Sequence, residues 1–157
     1  MAGMKTDAFR PEKIIVAVFS SVENGMNLGE SVARFCREKG AAAGVYALAD
    51  TELSTVLESE QVDLMIVLGG DGSMLRAGHL CASLGIPILG VNLGRFGFLT
   101  EIESGNWQEP LQNVLEGRFW LEQRMMLRAR HFRDGELLDS WEVINEVMVG
   151  RGAIVRP

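Results

Sequence analysis

Apolar residues in this chain come in short runs that alternate with longer stretches in which they recur at helical spacing. Ile14-Ile15-Val16-Ala17-Val18-Phe19 is a β-branched run closed by turn-forming Ser20 and Ser21, the pattern of a strand buried on both faces. Leu28, Val32, Phe35 and Cys36 then share one side of a helix, which the spacing predicts over residues 25–39 with Gly40 at its C-terminal cap. Gly44-Val45-Tyr46-Ala47-Leu48 predicts a second strand, and Leu53, Val56 and Leu57 mark the inner face of a short helix from Thr51 to Glu58. Val62 to Leu68 predicts a third strand, followed by a helix from Ser73 to Leu84 that Gly85 stops, and Ile86 to Val91 a fourth strand.

Strands and helices in this order imply βαβ units and an α/β fold of doubly wound type, with a mostly parallel sheet covered on both faces. Ligands in such sheets bind beyond the carboxyl ends of the strands. The glycine-rich segments 69–72 and 90–97 fall at two such ends. A helix carrying Trp107, Leu111, Val114 and Leu115 ends the alternation, and two extended segments, 119–133 and 136–149, then flank the hairpin dipeptide Asp134-Gly135. The change of pattern places a domain boundary at 118–122, dividing the chain into 1–120 and the first strands of a β-rich domain at 121–157.

Three segments carry candidate chemistry. Gly69-Gly70-Asp71-Gly72-Ser73 joins a buried strand to a helix N-terminus, where backbone N–H groups and the helix dipole favour an anion such as phosphate. Its glycines let the backbone approach oxygens, and Ser73 can cap the helix while offering a hydroxyl. Asp71 would repel a phosphate, so it either accepts a proton from an attacking hydroxyl, holds a divalent metal, or merely caps the helix at a tight turn. In Gly90-Val91-Asn92-Leu93-Gly94-Arg95-Phe96-Gly97-Phe98-Leu99-Thr100, the rings of Phe96 and Phe98 are either stacking surfaces or core plugs beneath a loop. On the second extended segment Asn145 should share a face with Val147 and Val149, and Glu146 the opposite face with Met148; an Asn-Glu pair can serve an adenine or ribose edge or simply sit on a solvated edge strand.

The remaining candidates carry blander readings. His79 is expected to be satisfied beneath the sheet edge, His131 to share a structural strand face with Leu127 and Ala129, and Arg124, Arg128, Arg130 and Arg133 to form a solvated sheet surface. Trp107, Trp120 and Trp141 are expected as core or interface anchors. A formal net charge of -6 and a pI near 5.0 argue against a nucleic-acid track or an anionic membrane surface as partner. Cys36 and Cys81 sit in apolar periodic segments and read as reduced buried thiols rather than a disulfide or a metal site. No apolar run approaches the ~20 residues of a membrane span, and none at the start has signal-peptide length, so a soluble cytoplasmic protein is expected.

Together the three segments resemble the NAD kinase family: Gly69-Gly70-Asp71-Gly72-Ser73-Met74-Leu75-Arg76, then Gly90 to Thr100, then Asn145-Glu146 stand in the family's order. The first motif also resembles those of phosphofructokinases and of lipid kinases. The resemblance implies ATP, NAD and magnesium as ligands, with Asp71 accepting the proton of the 2′-hydroxyl of the NAD adenosine ribose as it attacks the γ-phosphate. It implies that Gly69, Gly70, Gly72 and Ser73 cradle phosphate, that Arg76 reaches one, that Phe98 lines the dinucleotide pocket, and that Asn145 and Glu146 hold the adenosine. It further implies that 1–120 is the nucleotide-binding domain, that 121–157 begins the NAD-binding domain, and that copies assemble into a homo-oligomer. The family's later Thr-Gly-Ser motif has no match before Pro157, so a piece of a longer protein, weakly active or inactive alone, is expected. The alternatives are another kinase with the same glycine turn, acting on a lipid or sugar phosphate, and a non-catalytic nucleotide-binding fragment.

Overall fold

The computed structural model describes residues 4–5, 9–19, 24–94 and 97–149. Ser20, Ser21, Arg95 and Phe96 lie outside the described residues, as does everything after Val149. The chain forms two compact units, Met1–Gln123 and Arg124–Pro157.

The first unit contains β1 (Met4–Lys5), β2 (Lys13–Val18), α1 (Gly25–Glu38), β3 (Ala42–Ala47), α2 (Thr51–Ser59) and β4 (Leu64–Gly69). These are followed by α3 (Asp71–Cys81) with a 3-10 turn at Ala82–Leu84, β5 (Ile88–Asn92), β6 (Ile102–Glu103), α4 (Gln108–Leu115) and β7 (Trp120–Leu121). Strands β2 to β6 make one five-stranded parallel sheet in the order β3-β2-β4-β5-β6. From β2 the chain crosses outward to β3, returns to pair β4 on the other side of β2, and then continues outward to β5. The segments following β2 and β4 therefore diverge, which opens a crevice at the carboxyl ends of these two neighbours. A separate antiparallel pair, β1 with β7, joins Met4 to Leu121 and Lys5 to Trp120.

Alternation along the central strands creates a core on each side of the sheet. Ile14, Val16 and Val18 of β2 and Leu64, Ile66 and Leu68 of β4 pack on Val32, Ala33 and Cys36 of α1 and Leu111 of α4. Ile15, Ala17, Met65 and Val67 face the other way, onto Leu53 and Leu57 of α2 and Met74, Ala77 and Cys81 of α3. This two-sided burial is why the strands read as unbroken apolar runs. Trp107 is buried in the first core, edge-on to Phe35 at 5.4 Å.

Local chemistry sets the helix boundaries. Gly40, at φ +94°, reverses the chain after α1, and its neighbour Ala41 donates back to the Cys36 carbonyl at 3.1 Å. Asp50 precedes α2 and its carboxylate accepts the Glu52 N–H at 3.0 Å. Asp63 accepts from the backbones of Glu12 and Lys13 at 2.9 and 2.8 Å, which fixes the entry of β2 against that of β4.

The second unit is a hairpin of β8 (Leu127–Arg133) and β9 (Glu136–Val143). Its turn is Asp134-Gly135, with φ of +50° and +87°, the geometry that gives a two-residue turn the twist of its strands. One face presents Leu127, Ala129, Trp141 and Val143, whereas on the other Arg128 pairs with Glu142.

Several expectations are corrected. The long extended segments are shorter: β8 begins at Leu127, opposite Val143, so β9 ends where its ladder partner ends. Asn145, Glu146, Val147, Met148 and Val149 follow the strand rather than alternating along it, and all are exposed. Of the three tryptophans expected as core or interface anchors only Trp107 lies in a core, whereas Trp120 and Trp141 are exposed, which leaves them the interface alternative. His79 is exposed on the last turn of α3 rather than satisfied beneath the sheet. Helix α3 starts at Asp71, two residues before the expected Ser73, because the chain turns helical immediately on leaving β4 and the Gly70 carbonyl accepts the Ser73 and Met74 N–H groups.

Ile66, fully buried at the centre of β4, should be among the costliest positions to truncate. Ile66→Ala is expected to lower stability by about 2–5 kcal/mol in urea unfolding; a loss below ~1 kcal/mol would contradict the two-sided burial of this strand.

Candidate active site

The sheet's carboxyl edge brings the two glycine-rich segments together. Strand β4 ends at Gly69 and β5 at Asn92, paired in parallel register. Past that point the Leu93 N–H donates to the Gly69 carbonyl at 3.2 Å, and at the switch point the Phe19 N–H donates to the Leu68 carbonyl at 3.0 Å. Asn92 is buried, and its Oδ1 accepts the Gly94 N–H at 2.9 Å, which bends the chain away from the strand. Sequence reasoning passed over Asn92; the signal was a lone amide ending an apolar strand before Leu-Gly.

Asp71 occupies the first position of α3, where its negative charge is stabilised by the positive end of the helix dipole. Its carboxylate does not cap its own helix. Oδ2 accepts the backbone N–H of Phe98 at 3.0 Å, and Oδ1 that of Leu99 at 2.9 Å. The acid of the first segment thus holds the backbone of the second. A carboxylate oxygen has two lone pairs, so each retains one for a further proton or donor.

The glycines of the turn divide into two kinds. At Gly69 a Cβ would stand 2.2 Å from Ser73 Oγ and 2.6 Å from Ser73 Cβ, so this glycine lets α3 fold back tightly on β4. Ser73 is accordingly a buried packing residue of the first turn, not the helix cap expected for it. At Gly70 and Gly72 a Cβ would meet no atom of the described residues within 4 Å, and neither has a positive φ. Both flank the Asp71 carboxylate at the helix mouth, where first-turn N–H groups lack intrahelical acceptors, and both border open space.

Arg76 is exposed and stands four residues after Gly72, on the same face of α3. Phe98 is 96% exposed, so its ring is no core plug. Asn145 and Glu146 belong to the second unit. Thr100 closes the second segment with a buried hydroxyl that has no hydrogen-bond partner among the described residues. Burial pushes the thiols of Cys36 and Cys81 up to about 11 and about 12, which keeps both protonated and unreactive. Among the described residues no group of three His, Cys, Asp or Glu side chains could hold a metal, and no helix is long and apolar enough to cross a membrane.

A doubly wound α/β unit with an acid-bearing glycine turn beside its switch point belongs to the class of open parallel-sheet domains whose ligands bind beyond the carboxyl ends of the strands. Comparison with known proteins narrows the class. A family model described as the ATP-NAD kinase N-terminal domain matches residues 8–119, and the chain belongs to that family. Over 113 residues it is 38% identical to the NAD kinase of Ruminiclostridium cellulolyticum, covering 72% of this chain and 40% of that protein. Over 154 residues it is 37% identical to the NAD kinase of Citrifermentans bemidjiense, covering 90% and 53%. The chain thus spans about half or less of the length of these curated relatives. The solved structure of yeast NADH kinase complexed with NADH shares the fold, with a TM-score of 0.63 at 14% identity, over 87% of this chain and 48% of that one.

The division among the glycines is testable in thermal melts. Gly72→Ala should leave stability unchanged or raise it by up to ~1 kcal/mol, since alanine is the better helix former and meets no neighbour. Gly69→Ala should destabilise by about 1–3 kcal/mol through overpacking against Ser73. Equal losses at both positions would contradict the open space assigned to Gly72.

Proposed function

We propose that this chain carries the phosphate-transfer end of a kinase that moves the γ-phosphoryl group of ATP to the 2′-hydroxyl of the adenosine ribose of NAD, giving NADP. The observation that carries the reading is Asp71: a carboxylate at a helix N-terminus, beside the switch point, flanked by glycines that border open space. The phosphates would lie against the Gly70 and Gly72 amides with Arg76 as a counter-charge, and the 2′-hydroxyl would approach Asp71. As the ribose oxygen bonds to the γ-phosphorus, its proton passes to a free lone pair of the Asp71 carboxylate, the bond from the γ-phosphorus to the bridging oxygen breaks, and ADP departs. Positioning and charge stabilisation supply most of the rate in such transfers, which suits a site built from backbone donors and a dipole.

The remaining assignments belong to the same proposal. The first unit, with its boundary near residue 120, is read as the nucleotide-binding domain, and residues 121–157 as the start of the NAD-binding domain, with Asn145 and Glu146 holding the adenosine. The exposed ring of Phe98 offers a wall for the dinucleotide. A resident metal does not fit the described residues, because Asp71 is the lone carboxylate of the turn and no group of three His, Cys, Asp or Glu side chains forms among them. Magnesium is therefore read as arriving with the ATP phosphates, as part of the substrate. The apolar face of the β8–β9 hairpin supports assembly of copies, and the two free cysteines support a reducing, cytoplasmic setting. Transfer to a lipid or a sugar phosphate is not favoured, since the curated relatives that the chain matches are NAD kinases.

The test uses the protein expressed from its intact gene, supplied with NAD and magnesium-ATP, with NADP formation followed. Asp71→Asn is expected to lower kcat by about 10²- to 10⁴-fold with the nucleotides still bound. Undiminished NADP formation would remove Asp71 from the chemistry.

A further inference from the structure

Gly97 has neither a positive φ nor a helix to end, yet it stands against the one acid of the glycine turn. A Cβ there would lie 2.2 Å from Asp71 Oδ1, 2.6 Å from Cγ and 2.8 Å from Oδ2. The next two residues, Phe98 and Leu99, donate their backbone N–H groups to those same two oxygens. Three consecutive residues thus form a socket for a carboxylate, first an empty space and then two donors, one for each oxygen.

We propose that Gly97 is a positioning residue for Asp71: its missing side chain lets the 97–99 backbone close on the carboxylate and fix the orientation of both oxygens. The proposal rests on the reading of Asp71 as the proton acceptor. A carboxylate on a free rotor would sample several orientations, only some with a lone pair directed at the incoming hydroxyl. Two donors on separate oxygens leave one orientation, because rotating the group breaks both bonds. Backing away from a methyl at position 97 breaks them too, since Asp71 is held at the start of α3, whose first turn is closed on the Gly70 carbonyl. Gly69, Gly90 and Gly97 are all sites of close approach, but at Gly69 and Gly90 the nearest atoms belong to Ser73 and Met74, packing residues, whereas at Gly97 the three nearest atoms are all part of the Asp71 carboxyl group.

The test is a double-mutant cycle of Gly97→Ala and Asp71→Ala in the protein expressed from its intact gene, read by melting temperature and by steady-state kinetics. Gly97→Ala alone is expected to lower Tm and to cut kcat by roughly a hundredfold, with KM for NAD and ATP changed less than about threefold, as for a misplaced catalytic group. In the Asp71→Ala background the methyl occupies the space the carboxylate vacated. There Gly97→Ala is expected to leave Tm nearly unchanged and the residual rate within about twofold. Additive losses in either readout overturn the proposal. Should Gly97→Ala alone fail to fold, recovery of a folded protein in the double variant supports the proposal, and equal failure of the double variant overturns it. The melting arm needs no turnover, so a wrong reading of Asp71 as the base appears as full activity in Asp71→Asn, whereas a wrong reading of Gly97 appears as additive melting.

Discussion

The parallel pairing of β2 with β4 at the middle of the sheet governs the rest of the first unit. Both strands are buried on both faces, so helices must cover each side, and a chain that leaves β2 in one direction has to return past it to place β4. That reversal sends the following segments apart and leaves their carboxyl ends facing a crevice. The glycine turn after β4 sits there because β4 ends there, and α3 begins with no intervening loop. A polar site is thus built on rigid elements, with its one acid at the first residue of a helix whose far end is pinned by Ala77 and Cys81 in the core.

The link between the two glycine segments passes through a side chain on one and the backbone on the other. Leu93 and Gly69 join main chain to main chain, and Asp71 then reaches across to Phe98 and Leu99. Glycines serve three separate purposes within this small region. Gly69 lets the helix fold back on its strand, Gly97 admits the carboxylate, and Gly70 and Gly72 keep a surface clear that no atom of the described residues fills. Space that the protein itself leaves clear beside a charged group is what a ligand site requires.

Much of this was legible in the sequence, for physical reasons. Strands buried on both faces must be apolar at every position, so the runs at 14–18 and 64–68 stood out, and Asp134-Gly135 announced its hairpin because few residues accept two consecutive positive φ angles. Strand β6 was missed because two residues carry no periodicity and pair only because β5 offers an edge. The end of β9 was misread because it depends on where β8 starts, a tertiary fact that the apolar residues beyond Val143 do not encode. Asp71 and the second glycine segment were found separately, but their union was not legible: the donors are backbone N–H groups 27 and 28 residues away, and every residue except proline carries the same group. Gly97, for the same reason, looked like one more loop glycine.

On the proposed mechanism the Asp71 carboxylate, held by Phe98 and Leu99, takes the proton of the hydroxyl that attacks phosphate. A crystal structure of the protein expressed from its intact gene, with NAD and a non-hydrolysable ATP analogue bound, tests this most directly. The proposed mechanism requires a ribose 2′-hydroxyl about 2.6–3.2 Å from an Asp71 oxygen with both backbone hydrogen bonds intact. A 2′-hydroxyl bound away from Asp71, with the carboxylate facing only its own backbone donors, would contradict it.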